Sequence, residues 1–588
     1  MSATGISPSR RRILEQAQGY VLLCYHNHQP PLVMPGTINQ RTPYARMHAM
    51  RGYRDLPLWT AEKGVSATFN MTPSLLEQLE VYTKGGSDVF LDLTKVEADR
   101  LTEEQKLFLL SNFFKLNHDH SVLPYPRYKE LLEKSKRTSS ISDFSTQEFL
   151  DLQVWFNLAM FGYGLRRSNS EIRAFMDKQR NFTEADKRRI IEIQMGVIRE
   201  VLGNYKKLQE EGKISVIVSP YVHPILPLII DEASALEAHP DWVPPMFSHP
   251  DDARAQLDIA RIIYCRMFGR DPSGMWPSEG SVSHEMLPLV SQAIPSVRYL
   301  LTDEGIRERS CPLPEAWWQR FLPWQAEGLS VFFRDRRLSD AVGFVRMERH
   351  ALTAYEMYQN ICRIALDAAK DGMPSGMKPV VSMVLDGENM QDSRPNDAFE
   401  FFDMFYRYLM SDGKLIAPIL PEEYLELFPN SPQLNHLFAG SWIGSDFGTW
   451  TGDRYGDAGA KRIHVAKGHL AKLKRAIELR YGSSFRDTAM QEIYGKASEG
   501  NLFSAFSGTK GLAPAILYSL QAESSCFMWW FGGRQGEAAD LGVFDIQFRE
   551  LIATSYLSMG MIVPSELQVS LYHDRPWGEA VGPLKLAV

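Results

Sequence analysis

The chain has 588 residues, 44% hydrophobic and 23% charged, with a formal net charge of −7. That length and mixture suit two or more units with a large core, and without a long basic block they exclude nucleic acid and an anionic membrane as partners. The five cysteines are scattered and show no zinc-ligand spacing. Arg10–Arg12 precedes a polar stretch and there is no apolar run of ~20 residues, so reduced thiols and a cytoplasmic location are expected.

Residues 1–18 read as a polar lead-in. Tyr20–Tyr25 is an apolar run of buried-strand type that ends in His26-Asn-His28-Gln-Pro30. Histidines two apart on a strand point the same way. Such a pair can hold zinc at a barrel mouth, hydrogen-bond sugar hydroxyls as neutral imidazoles, or simply pack. Val65–Asn70 is a second strand, and Pro73–Leu79 opens a helix. From about 86 to 210 helical spacing dominates (Glu104–Leu116, Thr146–Met160, Asn181–Leu208), with Thr183 and Asp186 as a capping signal. This reads as a helical insertion whose aromatic residues, Trp155 among them, are core, with Trp155 and Asn157 reaching over a site as the alternative.

Ile214–Ser219 is the next strand. It enters Pro220-Tyr-Val-His-Pro-Ile-Leu-Pro-Leu228, where flanking prolines fix His223, either toward a ligand or as a packed side chain. A helix over Asp251–Phe268 leads to Gly274-Met-Trp-Pro-Ser-Glu-Gly280. This puts the Glu279 carboxylate on a stiff turn beside Trp276. A sugar can pack its C–H face on an indole while an acid points at a reacting atom; a solvated loop Glu is the alternative. Strands over Val297–Leu301 and Leu329–Phe333 end in Asp303-Glu304 and Arg334-Asp-Arg336. After a helix over Thr353–Lys370, Pro379–Leu385 reads as a buried strand ending in Asp386-Gly-Glu388-Asn389, which gives the second carboxylate motif.

Strands that alternate with helices and end in polar residues argue a parallel barrel with its site at the C-terminal rim. Beyond Gly440-Ser-Trp-Ile-Gly-Ser-Asp-Phe-Gly-Thr-Trp450 the chain reads as helical over His464–Tyr481, Pro514–Gln521 and Phe544–Met559. A catalytic unit over 1–430 and a helical unit over 431–588 that completes the cleft are expected.

Five segments in order resemble glycoside hydrolase family 57: His26–Pro30, Ser219–Leu228, Gly274–Ser283, Leu385–Asn389, and Gly440–Ile443 with Trp450–Gly452. The third and fourth are closest in wording to amylopullulanase-like members. The resemblance implies an α/β fold, an incomplete TIM-like (β/α)7 barrel with a helical insertion and a helical C-terminal domain. It also implies retaining cleavage of α-1,4 or α-1,6 bonds in an α-glucan, without metal or cofactor. Glu279 would be the nucleophile and Asp386 the general acid/base. His26, His28, His223, Trp276, Asp303, Trp442 and Trp450 would bind the sugar.

The chain departs from the family at Gly212–Ser215, which puts a substrate contact in question. It departs again at Met390–Arg394 and at Ala522-Glu-Ser-Ser-Cys-Phe527, which puts the outer subsites in question. Glu388 competes for the acid/base role, although Gly387 suggests a turn that sends it away from Asp386. The rival activities are a 4-α-glucanotransferase or branching enzyme with the same two carboxylates, a metal-dependent barrel deacetylase using His26, His28 and an Asp, and a barrel that binds glucan without cutting it.

Overall fold

The computed structural model describes residues 5–138, 140–242, 247–311, 316–344, 353–371, 373, 376–411, 413–452, 457–532 and 538–573. Nine strands form its sheet: β1 (Gly19–Asn27), β2 (Ala67–Met71), β3 (Ile214–Val218), β4 (Gly274–Met275), β5 (Tyr299–Asp303), β6 (Trp324–Ala326), β7 (Leu329–Arg334), β8 (Val380–Asp386) and β9 (Ile416–Pro418). The parallel order β1-β2-β3-β4-β5-β7-β8 returns to β1, so seven strands close into a barrel. β9 adds beside the start of β1, and β6 pairs antiparallel with β7.

Strands buried on both faces read as continuous apolar runs, which is why six of the seven barrel strands are visible in the sequence. All nine residues of β1 and all five of β2, β3 and β5 are buried. The seventh, β4, is only two residues long, because Pro272 and Pro277 bracket it and proline cannot donate to a ladder. A Cβ on Gly274 would overlap the Tyr299 ring, so glycine is required there by close approach. β6 and β9, three residues each, carry too short a pattern to read.

The lead-in differs from expectation. Pro8–Gln16 is a helix capped by the Ser7 side chain, and Leu14 and Ala17 close the lower end of the barrel beneath Tyr20. The β2–β3 connection is a helical insertion ending in the helix Glu184–Glu210, capped by Thr183 and Asp186 as expected. Trp155 is wholly buried there and donates to Gln179 O at 2.7 Å, while Asn157 bonds the buried Arg46. Neither reaches the rim.

The C-terminal region is helical over Asp457–Glu499, Leu512–Gln521, Ser525–Gly532 and Ala538–Ser558. A buried ion network fixes it on the barrel. Lys474 pairs with Asp252 and Glu523, Arg486 pairs with Asp252, and Gln256 Nε2 donates to Glu523 at 2.8 Å. Removing one partner of such a network leaves an unpaired buried charge, which costs about 3–5 kcal/mol. Asp252 and Gln256 lie on the helix Pro250–Phe268, which delivers the chain to β4, so the docking is tied to the Glu279 turn. Among the described residues no helix is long and apolar enough to cross a membrane.

Candidate active site

The C-terminal ends of β1, β3, β4 and β8 converge on one cleft. Parallel register sets the polar groups side by side. His26 of β1 lies opposite Asp386 of β8 and opposite Asn70 of β2. Glu279 follows β4 on a turn with φ 58°, His223 follows β3 with φ 62°, and Ser445 of the C-terminal region has φ 58°. Glu279 and His223, whose side chains approach to 3.8 Å, are both non-glycine residues in left-handed backbone and store strain that surrounding packing must hold, a pattern that clusters at functional sites.

Glu279 Oε2 accepts a hydrogen bond from Trp442 Nε1–H at 2.9 Å. Its other oxygen lies 3.8 Å from His223 Nδ1. Burial, then the charge of Asp386, pushes the Glu279 carboxyl up to about 8, against the pull of the Trp442 hydrogen bond. Burial also pushes Asp386 up to about 7, while Arg334 pulls it down. Two carboxyls raised this far share protons at neutral pH, and the higher value of Glu279 leaves the last proton on it rather than on Asp386. Asn389 Nδ2 donates to Asp386 Oδ2 at 2.8 Å.

Glu388 turns away from this pair. Its Oε1 accepts from the His28 backbone N–H at 2.9 Å and from the Tyr53 hydroxyl. Gly387 makes the separation possible, since a Cβ there would overlap the Asn27 amide oxygen. Burial, then Asp386, raises Glu388 to about 8.

His26, His28 and His223 come together with ring centroids 4.1–5.8 Å apart and planes 10–28° apart. Their ligand atoms all lie within 4.8 Å of one another, so a metal is worth testing against the geometry. A metal bound by imidazole sits in the plane of each ring. Near-parallel stacked planes do not share such a point, so the rings as placed do not fit a metal. Burial lowers His26 to about 4 and holds His28 and His223 well below the usual histidine range. They are held neutral, and a neutral imidazole offers one N–H donor and one acceptor nitrogen.

Two residues that the sequence reading missed hold His26. Asn70 Oδ1 lies 2.5 Å from His26 Nδ1, and Ser219 Oγ lies 3.0 Å from Asn70 Oδ1 and 2.6 Å from Trp276 O. With Oδ1 as acceptor, His26 Nδ1 carries the proton. Asn70 was visible only as the polar last residue of an apolar run.

Other residues stand differently from the sequence expectation. Trp276 is wholly buried in the barrel interior, 5.3 Å from Trp442, so it forms the floor beneath Glu279 and offers no open face to a sugar. Asp303 is enclosed by Arg334 and Arg336 and braces them. Trp450 is 1% exposed and faces a cavity of about 40 Å³ with Lys467 and Glu523. Ser215, expected near substrate, lies in the lower half of β3 and donates to Glu422 at 2.7 Å, away from the rim. The 522–527 departure does reach the cleft. Ser525 N–H donates to His223 O at 3.0 Å, Ser525 Oγ lies 3.2 Å from His223 Nδ1, and Cys526 Sγ lies 3.9 Å from His28 Nδ1. In the 390–394 departure, the side chains of Asp392 and Ser393 lie outside the described residues.

The sequence profile of Glycosyl hydrolase family 57 matches residues 22–434 of this chain. The chain belongs to that family. Among solved structures, a family 57 branching enzyme from Thermococcus kodakaraensis is similar at 14% identity and TM-score 0.52, over 97% of this chain and 98% of that one. An α-amylase from Thermotoga maritima is similar at 14% identity and TM-score 0.51, over 96% and 97%. No curated protein matches the chain significantly in sequence. The family match covers all four barrel segments of the site, from His26 to Asp386. Trp442, Ser525 and Cys526 lie beyond it.

Proposed function

We propose that this family 57 chain acts on α-glucans by a retaining double displacement, with Glu279 as nucleophile and Asp386 as general acid/base. The observation that carries the reading is the pair of half-buried carboxyls that follow β4 and end β8, Glu279 held by the Trp442 N–H and 3.8 Å from His223, and Asp386 opposite His26 in the ladder. In the first step a Glu279 oxygen bonds to the anomeric carbon as the glycosidic C–O bond breaks, and Asp386 gives its proton to the leaving oxygen. In the second, Asp386 takes a proton from water, whose oxygen displaces Glu279. The neutral imidazoles of His26 and His28 bind hydroxyls beside the reacting carbon. An amylopullulanase- or amylase-type hydrolase in a cytoplasmic setting is the form this reading takes.

A second reading is transfer to a sugar hydroxyl as a 4-α-glucanotransferase or branching enzyme. The same carboxylates serve it, and the branching-enzyme neighbour is similar across nearly the whole chain, the C-terminal helices included.

The test is reducing-end release from maltoheptaose and pullulan, with chain lengths followed in parallel and Glu279→Ala as control. New reducing ends that vanish in the variant support hydrolysis. Redistributed chain lengths without new ends support transfer. Activity retained in Glu279→Ala defeats the assignment.

A further inference from the structure

Arg334 ends β7, opposite Ser382 of β8, and its side chain is 3% exposed. Its Nε–H points to Val384 O at 3.3 Å. One terminal nitrogen pairs with Asp303 at 3.2 Å and the other with Asp340. These contacts fix the guanidinium plane. Its central carbon then lies 5.0 Å from the centre of the Trp442 ring, a cation–π distance. Trp442 is the residue whose N–H holds Glu279. The same guanidinium acts on Asp386 from β8. One buried cation thus touches the partner of the nucleophile and, through its bond to Val384 O, lies against β8 two residues before Asp386.

We propose that Arg334 is a positioning residue that fixes the Trp442 indole against Glu279 while it keeps a positive charge beside Asp386, so that one side chain ties the two reacting carboxyls together. The proposal rests on the retaining reading above. Lysine keeps the charge but has neither the flat face nor the fork that the Asp303 and Asp340 contacts use. The groups that face Asp386 are Arg334 of β7, Asp340 of the helix that follows β7, Glu279 after β4, Glu388 and Asn389 of its own loop, and the neutral His26 of β1. Arg334 is the cation in this set.

The experiment compares wild type, Arg334→Lys, Arg334→Met and Trp442→Phe. The first readout is the pH profile of kcat and KM on maltoheptaose. With Arg334→Met, kcat is expected to fall on the order of 10²-fold while KM stays within about 3-fold, as expected when a contact made in the transition state is lost. The alkaline limb should move up by about one pH unit, because Asp386 without its cation keeps its proton longer. With Arg334→Lys the limb should stay in place while kcat still falls by about 10-fold, and adding Trp442→Phe should cost less than it does in wild type, because the hold of the indole on Glu279 is already weakened. A loss of kcat with an unmoved limb in Arg334→Met, or losses that simply multiply with Trp442→Phe, would overturn the proposal.

The second readout needs no activity. Acrylamide quenching of the Trp442 share of fluorescence, taken as wild type minus Trp442→Phe, should rise in Arg334→Met and rise less in Arg334→Lys. An unchanged share overturns the proposal. If Arg334→Met does not fold, the Arg334→Lys arms still decide. Wild type that neither cleaves nor rearranges a glucan defeats the functional reading, and the quenching still tests Arg334 on its own.

Discussion

The barrel rim and the C-terminal region both reach the cleft, and they are held there by different means. Glu279, His26, His223 and Asp386 stand at or just beyond strand ends, where ladder register and buried backbone fix each Cα. Trp442, Ser525 and Cys526 come from loops and a short helix whose place depends on packing across the chain, through the Val282–Gly440 bridge, the Ser525–His223 bonds and the Lys474–Asp252–Glu523 network. In the proposed mechanism the rim brings the groups that exchange bonds and protons. The C-terminal region brings groups that orient them. Substitutions on the rim should therefore abolish turnover, and substitutions in the C-terminal region should scale it.

The largest expected effect is at the reacting pair. Glu279→Gln should leave no measurable covalent chemistry. Asp386→Asn should cost on the order of 10³–10⁴-fold on substrates with poor leaving groups, and far less where the leaving group departs unaided. Steady-state rates on maltoheptaose and on an activated aryl glycoside separate the two roles. Equal losses on both substrates for Asp386→Asn would remove it as the acid.

Next in size is a pair of substitutions that sets rim against cover. Gly387→Ala puts a methyl group into the Asn27 amide, which lies where β1 meets β8. Overpacking at such a place costs about 1–3 kcal/mol, so both the thermal midpoint and kcat should fall. Ser525→Ala removes a hydroxyl 3.2 Å from His223 Nδ1 and leaves the Ser525 N–H to His223 O bond in place. One lost side-chain hydrogen bond is worth about 1 kcal/mol, or a few-fold in kcat/KM, with little change in the midpoint. If Ser525→Ala cost more activity than Gly387→Ala, the division between a reacting rim and an orienting cover would be wrong.

What could be read from the sequence follows the same division. A parallel barrel strand is buried on both sides, so its apolar run and the polar residue that ends it are both written locally, as in Pro379–Leu385 before Asp386. Glu388 was separable from Asp386 in the same way, because Gly387 announces the turn. The sequence does not say which polar group meets which across the cleft. Asn70 and Arg334 end strands as plainly as Asp303 does, yet only the closed barrel shows that Asn70 holds His26 and that Asp303 is consumed by Arg334 and Arg336. Aromatic residues were the hardest to place. Trp276, Trp442 and Trp450 sit in similar glycine-rich surroundings, and of the three only Trp442 has its N–H on the Glu279 carboxylate, whereas Trp276 and Trp450 are buried. Burial of an indole depends on what packs over it from distant parts of the chain.

The smallest effect concerns stability and comes from the third carboxyl of the rim. Glu388 is raised to about 8 in the folded chain, first by burial and then by the charge of Asp386, against about 4.3 for an unfolded Glu. A raised folded value means that the folded chain binds this proton more tightly than the unfolded chain. The stability this gives is fully present below about pH 4 and is lost as pH rises toward 8. Glu388→Gln keeps an oxygen for the His28 N–H and the Tyr53 hydroxyl but cannot ionise, so it removes that slope. Near pH 5 the variant and the wild type both hold a neutral side chain there, and their thermal midpoints should nearly agree. Near pH 8 the wild type must bury a charge beside Asp386, and the variant should melt about 1–2 °C higher. Thermal melts of both proteins at the two pH values check this. A difference that does not grow from pH 5 to pH 8 would mean that water reaches Glu388 freely and that this side of the rim is open, unlike the Glu279 side that Trp442 covers.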